Sequence, residues 1–282
     1  MRWTKEMLQY LTNNYNVLSI SEIAKNMNLT KASVSCKASK LGLTKKDKGN
    51  EDIFANINNE LSAYWLGFIY ADGYIIKNIT DKQHCNYELG IELCKDDICH
   101  LKKFNSIFND YYSISTRKRS MNSLDELNNK KQSNRLNETC FIRIYNKKIV
   151  NDLIKNNIVQ NKTCSKIFPI IENKEMFLHF LRGYIDGDGS YVIDNKNRFH
   201  ITIQGNNKEC FEFISKKILD DFNIHCTIRK DRDCWKLCID RKQEVLELIN
   251  LMFNNATIYL DRKYEKIINI KEAVSNRNIR NN

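Results

Sequence analysis

What this sequence has least of is proline, with one in 282 residues. Beside its many Asn, Ile and Lys residues, that scarcity reflects an A+T-rich gene and says nothing of function. Ten cysteines are present but no CxxC pair. The closest spacings, Cys94/Cys99 and Cys234/Cys238, match no usual zinc framework. The start, MRWTKEMLQYL, lacks the apolar run of a signal peptide, and nowhere are there the roughly 20 apolar residues of a membrane span. The expectation is an unsecreted protein without a membrane partner. Its thiols would be free in a reducing compartment: cytoplasm, nucleoid or organelle matrix. Acid is short as well. A net charge of +11 and a pI near 9.1 imply a polyanionic partner, nucleic acid first and a membrane surface second.

Residues 1–43 read as three short helices. Thr4 caps the first, Ser19 or Ser21 the second, and Thr30 the third, which stops at Gly42. Ile23, Met27, Leu29 and Val34 would meet in a small core, Ala24 lets the helices cross closely, and Asn28 suits a left-handed turn. This spacing reads as a helix-turn-helix, whose second helix enters the major groove. That helix exposes Lys31, Ser33, Ser35, Lys37 and Lys40. Residues 44–59 are polar and weakly patterned, a linker.

The rest repeats itself. One half runs from an apolar helix (61–73) through strand 87–94, helix 96–108 and strands 111–119 and 140–146 to helix 147–157. The other runs 176–189, 198–205, 207–222, 225–231, 234–240 and 242–253 in the same order. In RFHITIQ, Phe199, Ile201 and Ile203 alternate with Arg198, His200, Thr202 and Gln204, so one face packs on helices and the other is polar. Its guanidinium, imidazole, hydroxyl and amide groups suit base edges in a major groove. Arg117, Arg119, Arg143 with Tyr145, Arg229 and Lys236 extend the set. Glu88 and Glu92, on the matching face of the first half, either accept from cytosine amino groups or mark a part that avoids phosphate.

Two stretches, WLGFIYADG (65–73) and LRGYIDGDG (181–189), each end an apolar helix with an acid. Gly67 with Ala71, and Gly183 with Gly187, recur at i, i+4, so two such helices can approach closely. Side by side they would bring Asp72 and Asp188 together. Two carboxylates at ~4 Å repel by about 4 kcal/mol at an effective dielectric near 20. A shared proton or a divalent metal would offset that. Oxygen-only ligands favour a hard cation such as Mg²⁺ (or Mn²⁺), which takes phosphate oxygens as further ligands.

Both stretches resemble, position for position, the nine-letter signature motif of the LAGLIDADG homing endonucleases. Tyr70 departs at the sixth position of the first and Gly187 stands at the seventh of the second. The resemblance covers residues 60–270. It implies an α+β fold of two pseudo-symmetric αββαββα units, 60–168 and 169–275, whose strands form a saddle on a long double-stranded DNA target. It implies a monomer that cuts both strands across the minor groove and leaves 3′ overhangs. Asp72 and Asp188 would hold the metals, with the Ala71 and Gly187 carbonyls assisting. Lys162 and Lys263, late in each unit, would polarise water or stabilise charge at the scissile phosphates. Gln204 would stand at the active-site edge or contact a base. Such a protein is intron-encoded or free-standing. Relatives that lost cleavage suggest two alternatives: a transcriptional regulator, or a maturase that assists intron splicing and would take RNA as its partner.

Overall fold

Thr4 and Thr30 accept the amides of Met7 and Ser33, each at 3.2 Å. They open α1 (Lys5–Asn14) and α3 (Lys31–Lys40), with α2 (Ile20–Asn26) between. The structure is a computed structural model that describes residues 3–18, 20–43, 47–80, 84–119, 137–160, 168–195 and 198–280. Leu11, Tyr15, Ile23, Ala24, Val34 and Ala38 form a small core of their own, with Met27 and Leu29 packed against it. Asn28 is left-handed at φ 54° and Gly42 at φ 65°, as the turn and the helix stop require. Ser21 lies within α2 and is not its cap; Ser19 lies outside the described residues.

The expected linker is not a free spacer where it is described. Asn50 N–H bonds to the Ile107 carbonyl at 2.9 Å. Ile53 and Phe54 are buried in the core of the following unit, so residues 47–59 dock onto it.

Asn59 and Ser62 then form a reciprocal cap that starts α4 (Glu60–Asp72). It is followed by β1 (Gly73–Thr80), β2 (His84–Cys94), a 3₁₀ turn, α5 (Ile98–Ser106), β3 (Ile114–Arg119), β4 (Asn137–Ile144) and α6 (Lys147–Lys155). The second unit has α7 (Lys174–Asp188), β5 (Gly189–Ile193), β6 (Phe199–Gly205), α8 (Lys208–Phe222), β7 (Thr227–Asp231), β8 (Cys234–Ile239) and α9 (Lys242–Phe253). It ends in α10 (Asp261–Arg280).

Each unit makes one antiparallel sheet, in the order β1-β2-β4-β3 and β5-β6-β8-β7. The αββαββα repeat is therefore present twice. On β6 the alternation holds: Phe199, Ile201 and Ile203 are buried, while Gln204 is exposed. Helices cover the apolar face of each sheet, and α4 and α7 pack along each other between the units. One apolar core runs through both. Among the described residues no helix is long and apolar enough to cross a membrane.

Candidate active site and nucleic-acid interface

From Ser62 to Tyr70 every residue of α4 is buried, and α7 is buried from Met176 to Asp186. Helices this apolar on all sides need a partner on all sides, and their glycines decide how close that partner comes. A Cβ on Gly67 would stand 2.0 Å from the Phe180 carbonyl oxygen, and one on Gly183 would stand 2.0 Å from that of Tyr64. These two contacts exchange places under the repeat, so the helices cross about a pseudo-twofold axis. One turn further on, a Cβ on Gly187 would meet the Ala71 methyl at 2.2 Å and Asp72 Oδ2 at 3.2 Å. The close approach thus continues to the helix ends, where Asp72 and Asp188 are exposed. Gly73 and Gly189 turn the chain there into extended backbone and lead into the edge strands β1 and β5.

Lys263, in the first turn of α10, is 4% exposed. Its ammonium lies within hydrogen-bond distance of the carbonyls of Ile185, Asp186, Gly187 and Gly189, at 2.7, 2.5, 2.9 and 2.8 Å, so three N–H groups are shared among four acceptors. A cation here meets the negative end of α7. Burial pushes its pKa down to about 8, although Asp186, Asp72 and Asp188 pull the other way. The Gly187 carbonyl expected to assist a metal therefore already accepts from Lys263, and one lone pair remains to it.

Beneath the site, Asp186 Oδ2 accepts from Tyr64 Oη at 2.7 Å and from the Leu260 amide at 2.8 Å. Burial raises the Asp186 carboxyl to about 6, against these hydrogen bonds and the nearby Lys263 and Arg182 charges. Behind Tyr64, His100 Nε2 lies 3.1 Å from the same hydroxyl. Burial pulls that imidazole down to about 3, with Lys103 adding to the effect. Asp186 and His100 are motif or neighbouring residues for which composition and periodicity suggested no partner.

A cleft of about 340 Å³ opens beside the acids, lined by Asp188, Ala71, Tyr70, Gln204, Asn206 and Cys210 among others. A second hollow shares Gln204, Asn206 and Cys234 with it and reaches the β7–β8 turn. Across the polar face of the second sheet, Gln204, Lys236 and Arg229 stand in register on β6, β8 and β7. Thr202 lies between Ser190 and Cys238 in the same way.

Residues 175–273 match the family model described as a LAGLIDADG-like domain. The second unit is thus similar to a LAGLIDADG-like domain. No curated protein matches the chain significantly. Among solved structures, a lysine mutant of I-SmaMI is similar over 78% of this chain and 92% of its own, at 14% identity and a TM-score of 0.52. The I-SmaMI LAGLIDADG homing endonuclease bound to cleaved DNA is similar over 78% and 91%, at 14% identity and a TM-score of 0.50. At these identities the likeness is one of fold, and that fold is the two-unit LAGLIDADG saddle.

On both sheets, the candidate cations of the saddle are held by carboxylates. Arg117 Nε donates to Glu92 Oε1 at 3.0 Å, and Thr139 supports the same oxygen at 2.6 Å. Arg143 faces Glu88 at 3.5 Å, and Tyr74 bonds Glu88 at 2.9 Å while lying across Gly90. In the second sheet Arg198 pairs with Asp194 at 2.7 Å, Lys236 with Asp231 at 2.6 Å, and both His200 and Arg229 with Asp240. Glu88 and Glu92 are thus counter-ions to arginines of their own sheet. Phe141, absent from the expected set, lies between the Arg117 and Arg143 guanidinium groups, 5.4 and 5.2 Å from its ring. The signal for it was its place two residues before Arg143 on one strand face. On α3, Lys31, Ser35 and Lys40 are exposed, and Lys37 lies 5.9 Å over the Trp3 ring. Lys162 and the Arg119 side chain fall outside the described residues.

Two acids alone would make a sparse metal site. Among the described residues no three His, Cys, Asp or Glu side chains gather to hold an ion. A pair of carboxylates at adjacent helix ends fits a hard cation that completes its shell with water and phosphate oxygens, and does not fit a closed structural site.

Proposed function

We propose that this chain is a site-specific double-strand DNA endonuclease of the homing type, with two half-sites built on Asp72 and Asp188. The observation that carries the reading is the reciprocal seating of Gly67 on Phe180 and Gly183 on Tyr64. That packing has no use for an acid at each helix end, yet it delivers two of them together under two polar sheet faces. The I-SmaMI homing endonuclease, whose fold is similar, was captured on cleaved DNA, which supports the same reading here.

Asp72 and Asp188, with the Ala71 and Gly187 carbonyls, would hold Mg²⁺ or Mn²⁺, which when bound supplies an activated water and stabilises the leaving 3′-oxygen. The chain's own groups do the rest. Arg117, Arg143, Arg198, His200, Thr202, Gln204, Arg229 and Lys236 present donors to base edges and phosphates. Apart from the pair to buried Glu88, their ion pairs are open to solvent and worth only about 0–1 kcal/mol each, so phosphate displaces those carboxylates at little cost. Lys263 holds the end of α7 and places a positive charge beside Asp188. Breaks offset across the minor groove would leave 3′ overhangs. With both half-sites in one chain, a monomer suffices.

The N-terminal helices add a second contact. Residues 1–46 carry eight lysines and arginines against two glutamates, more than half of the chain's +11. Lys31, Ser35 and Lys37 on α3 would take DNA beside the saddle's own site.

The test uses the purified protein, a plasmid library and Mg²⁺. Cut plasmids with 3′ overhangs are expected from wild type and none from Asp188→Asn. Specific binding without any cutting by wild type would replace this reading with that of a DNA-binding regulator.

A further inference from the structure

Asp186 is joined to α10 twice. Its carboxylate accepts the Leu260 amide at 2.8 Å, and its own carbonyl accepts the Lys263 ammonium at 2.5 Å. Leu260 is where α10 begins, its carbonyl taking the amides of Lys263 and Tyr264. The third bond comes from the other unit, where Tyr64 on α4 donates at 2.7 Å. Asp186 is 1% exposed and does not line the cleft beside Asp188.

The residues around Leu260 carry the same pattern outward. Thr257 bonds Glu60 of the first unit through its amide and hydroxyl, at 2.8 and 2.7 Å. The Tyr259 carbonyl and the Asp261 carboxylate take Lys103, at 3.0 and 2.6 Å. Arg262 Nε meets both oxygens of Asp97, at 3.0 and 2.9 Å. Residues 257–263 are a strap laid across both units, and Asp186 is the point where it meets the end of α7.

The repeat puts Tyr70 where Asp186 stands. Tyr70 Oη donates instead to Cys210 Sγ, at 3.5 Å, and burial with that bond raises its pKa. The two helix ends are alike in backbone and different in support.

We infer that Asp186 is a positioning residue for the Asp188 half-site alone: it docks the start of α10 onto the end of α7, and so fixes where Asp188 points and where the Lys263 ammonium sits. This rests on the nuclease reading above. Buried beneath the cleft, Asp186 acts through Leu260 and Lys263. A carboxylate displaced by about 1 Å is enough to slow a reaction by as much as a hundredfold. The two strands of one target should therefore respond unequally to its loss.

The experiment is strand-resolved cleavage of a duplex end-labelled on each strand, by full-length wild type, Asp186→Ala, Asp186→Asn, Tyr64→Phe and Asp188→Asn. Asp186→Ala should slow one strand roughly tenfold to a hundredfold and the other less than about twofold. The affected strand should be the one that Asp188→Asn abolishes. Asp186→Asn keeps an acceptor for the Leu260 amide and should recover most of the rate. Tyr64→Phe should fall between. Equal slowing of both strands, or no slowing of either in a folded variant, overturns the inference. A second readout needs no cleavage: amine acylation mapped by mass spectrometry on the full chain. Lys263 should be protected in wild type and in Asp186→Asn, and become reactive in Asp186→Ala at an unchanged fold by circular dichroism. Continued protection in Asp186→Ala overturns the inference. A wild type that cuts neither strand defeats the nuclease reading, and the acylation result then still decides the docking role.

Discussion

The guanidinium of Arg182, 0% exposed in the middle of α7, is paired with Glu60 at the start of α4. Arg182 also donates to the Ile258 carbonyl at 3.0 Å and to that of Met252 at 2.5 Å. The pair ties α7, the strap and the first unit together at one point. Breaking a buried pair strands a charge and costs about 3–5 kcal/mol. Glu60→Leu, which leaves the Arg182 guanidinium buried without its counter-ion, should lower stability by that amount in urea unfolding. Glu60→Gln, which keeps an acceptor for the guanidinium, should cost less.

The glycine contacts leave no room for a methyl. Overpacking where side chains can yield costs about 1–3 kcal/mol, and here the obstacle is backbone at 2.0 Å. Gly67→Ala and Gly183→Ala should each destabilise by about 3 kcal/mol or more, measured by the urea midpoint. Cleavage should fall further than stability, because separated helices separate Asp72 from Asp188.

The acids themselves should be separable by strand. Asp72→Asn and Asp188→Asn should each leave DNA affinity within about threefold and slow one strand at least a hundredfold, about 2.7 kcal/mol of barrier. Gel analysis of a supercoiled plasmid should then show a nicked circle where wild type gives a linear product.

Asp186 and His100 pull stability in opposite directions with pH. The folded Asp186 carboxyl titrates near 6 and its ordinary value is 3.8, so between about pH 4 and 6 the folded state holds more protons and stability falls as pH rises. His100 is held near 3 against an ordinary 6.5. There the unfolded state holds more protons and stability rises with pH over the same range. Asp186→Asn removes the first effect and leaves the second. Its stability relative to wild type should therefore climb by about 1.4 kcal/mol per pH unit between pH 4 and 6. Urea midpoints at pH 4.5 and 5.5 measure it.

The N-terminal module should reveal itself in salt. Every cation withdrawn from a DNA phosphate reduces the slope of log affinity against log salt by about 0.9. Lys31→Ala with Lys37→Ala should flatten that slope by roughly one to two while leaving cleavage at the central site intact. An unchanged slope would place the module off the DNA.

The helical frame and its acids were legible because small residues at i, i+4 and a terminal Asp repeat in sequence. So were the caps Thr4 and Thr30, which act on amides three residues away. The alternation on β6 was legible for the same local reason. The ion pairs of the saddle were not, since Arg117 and Glu92 meet only after strand register is set. Lys263 was expected at the scissile phosphates, and its burial was not legible because its four acceptors belong to a helix end far away in the chain. The strap and α10 were missed too, although Ile267 and Ile270, both buried, keep helical spacing. Ile53 and Phe54 were hidden in a polar stretch whose composition outweighed two apolar residues.

The Arg182–Glu60 pair also tells the halves apart. By the repeat, Met176 stands where Glu60 does, and Leu66 where Arg182 does. Two copies of the second half, joined through the same glycine faces, would bury each arginine against a methionine. Two copies of the first would seal a glutamate against leucine. Only unlike halves satisfy both charges, so fragments made separately should find each other in preference to themselves.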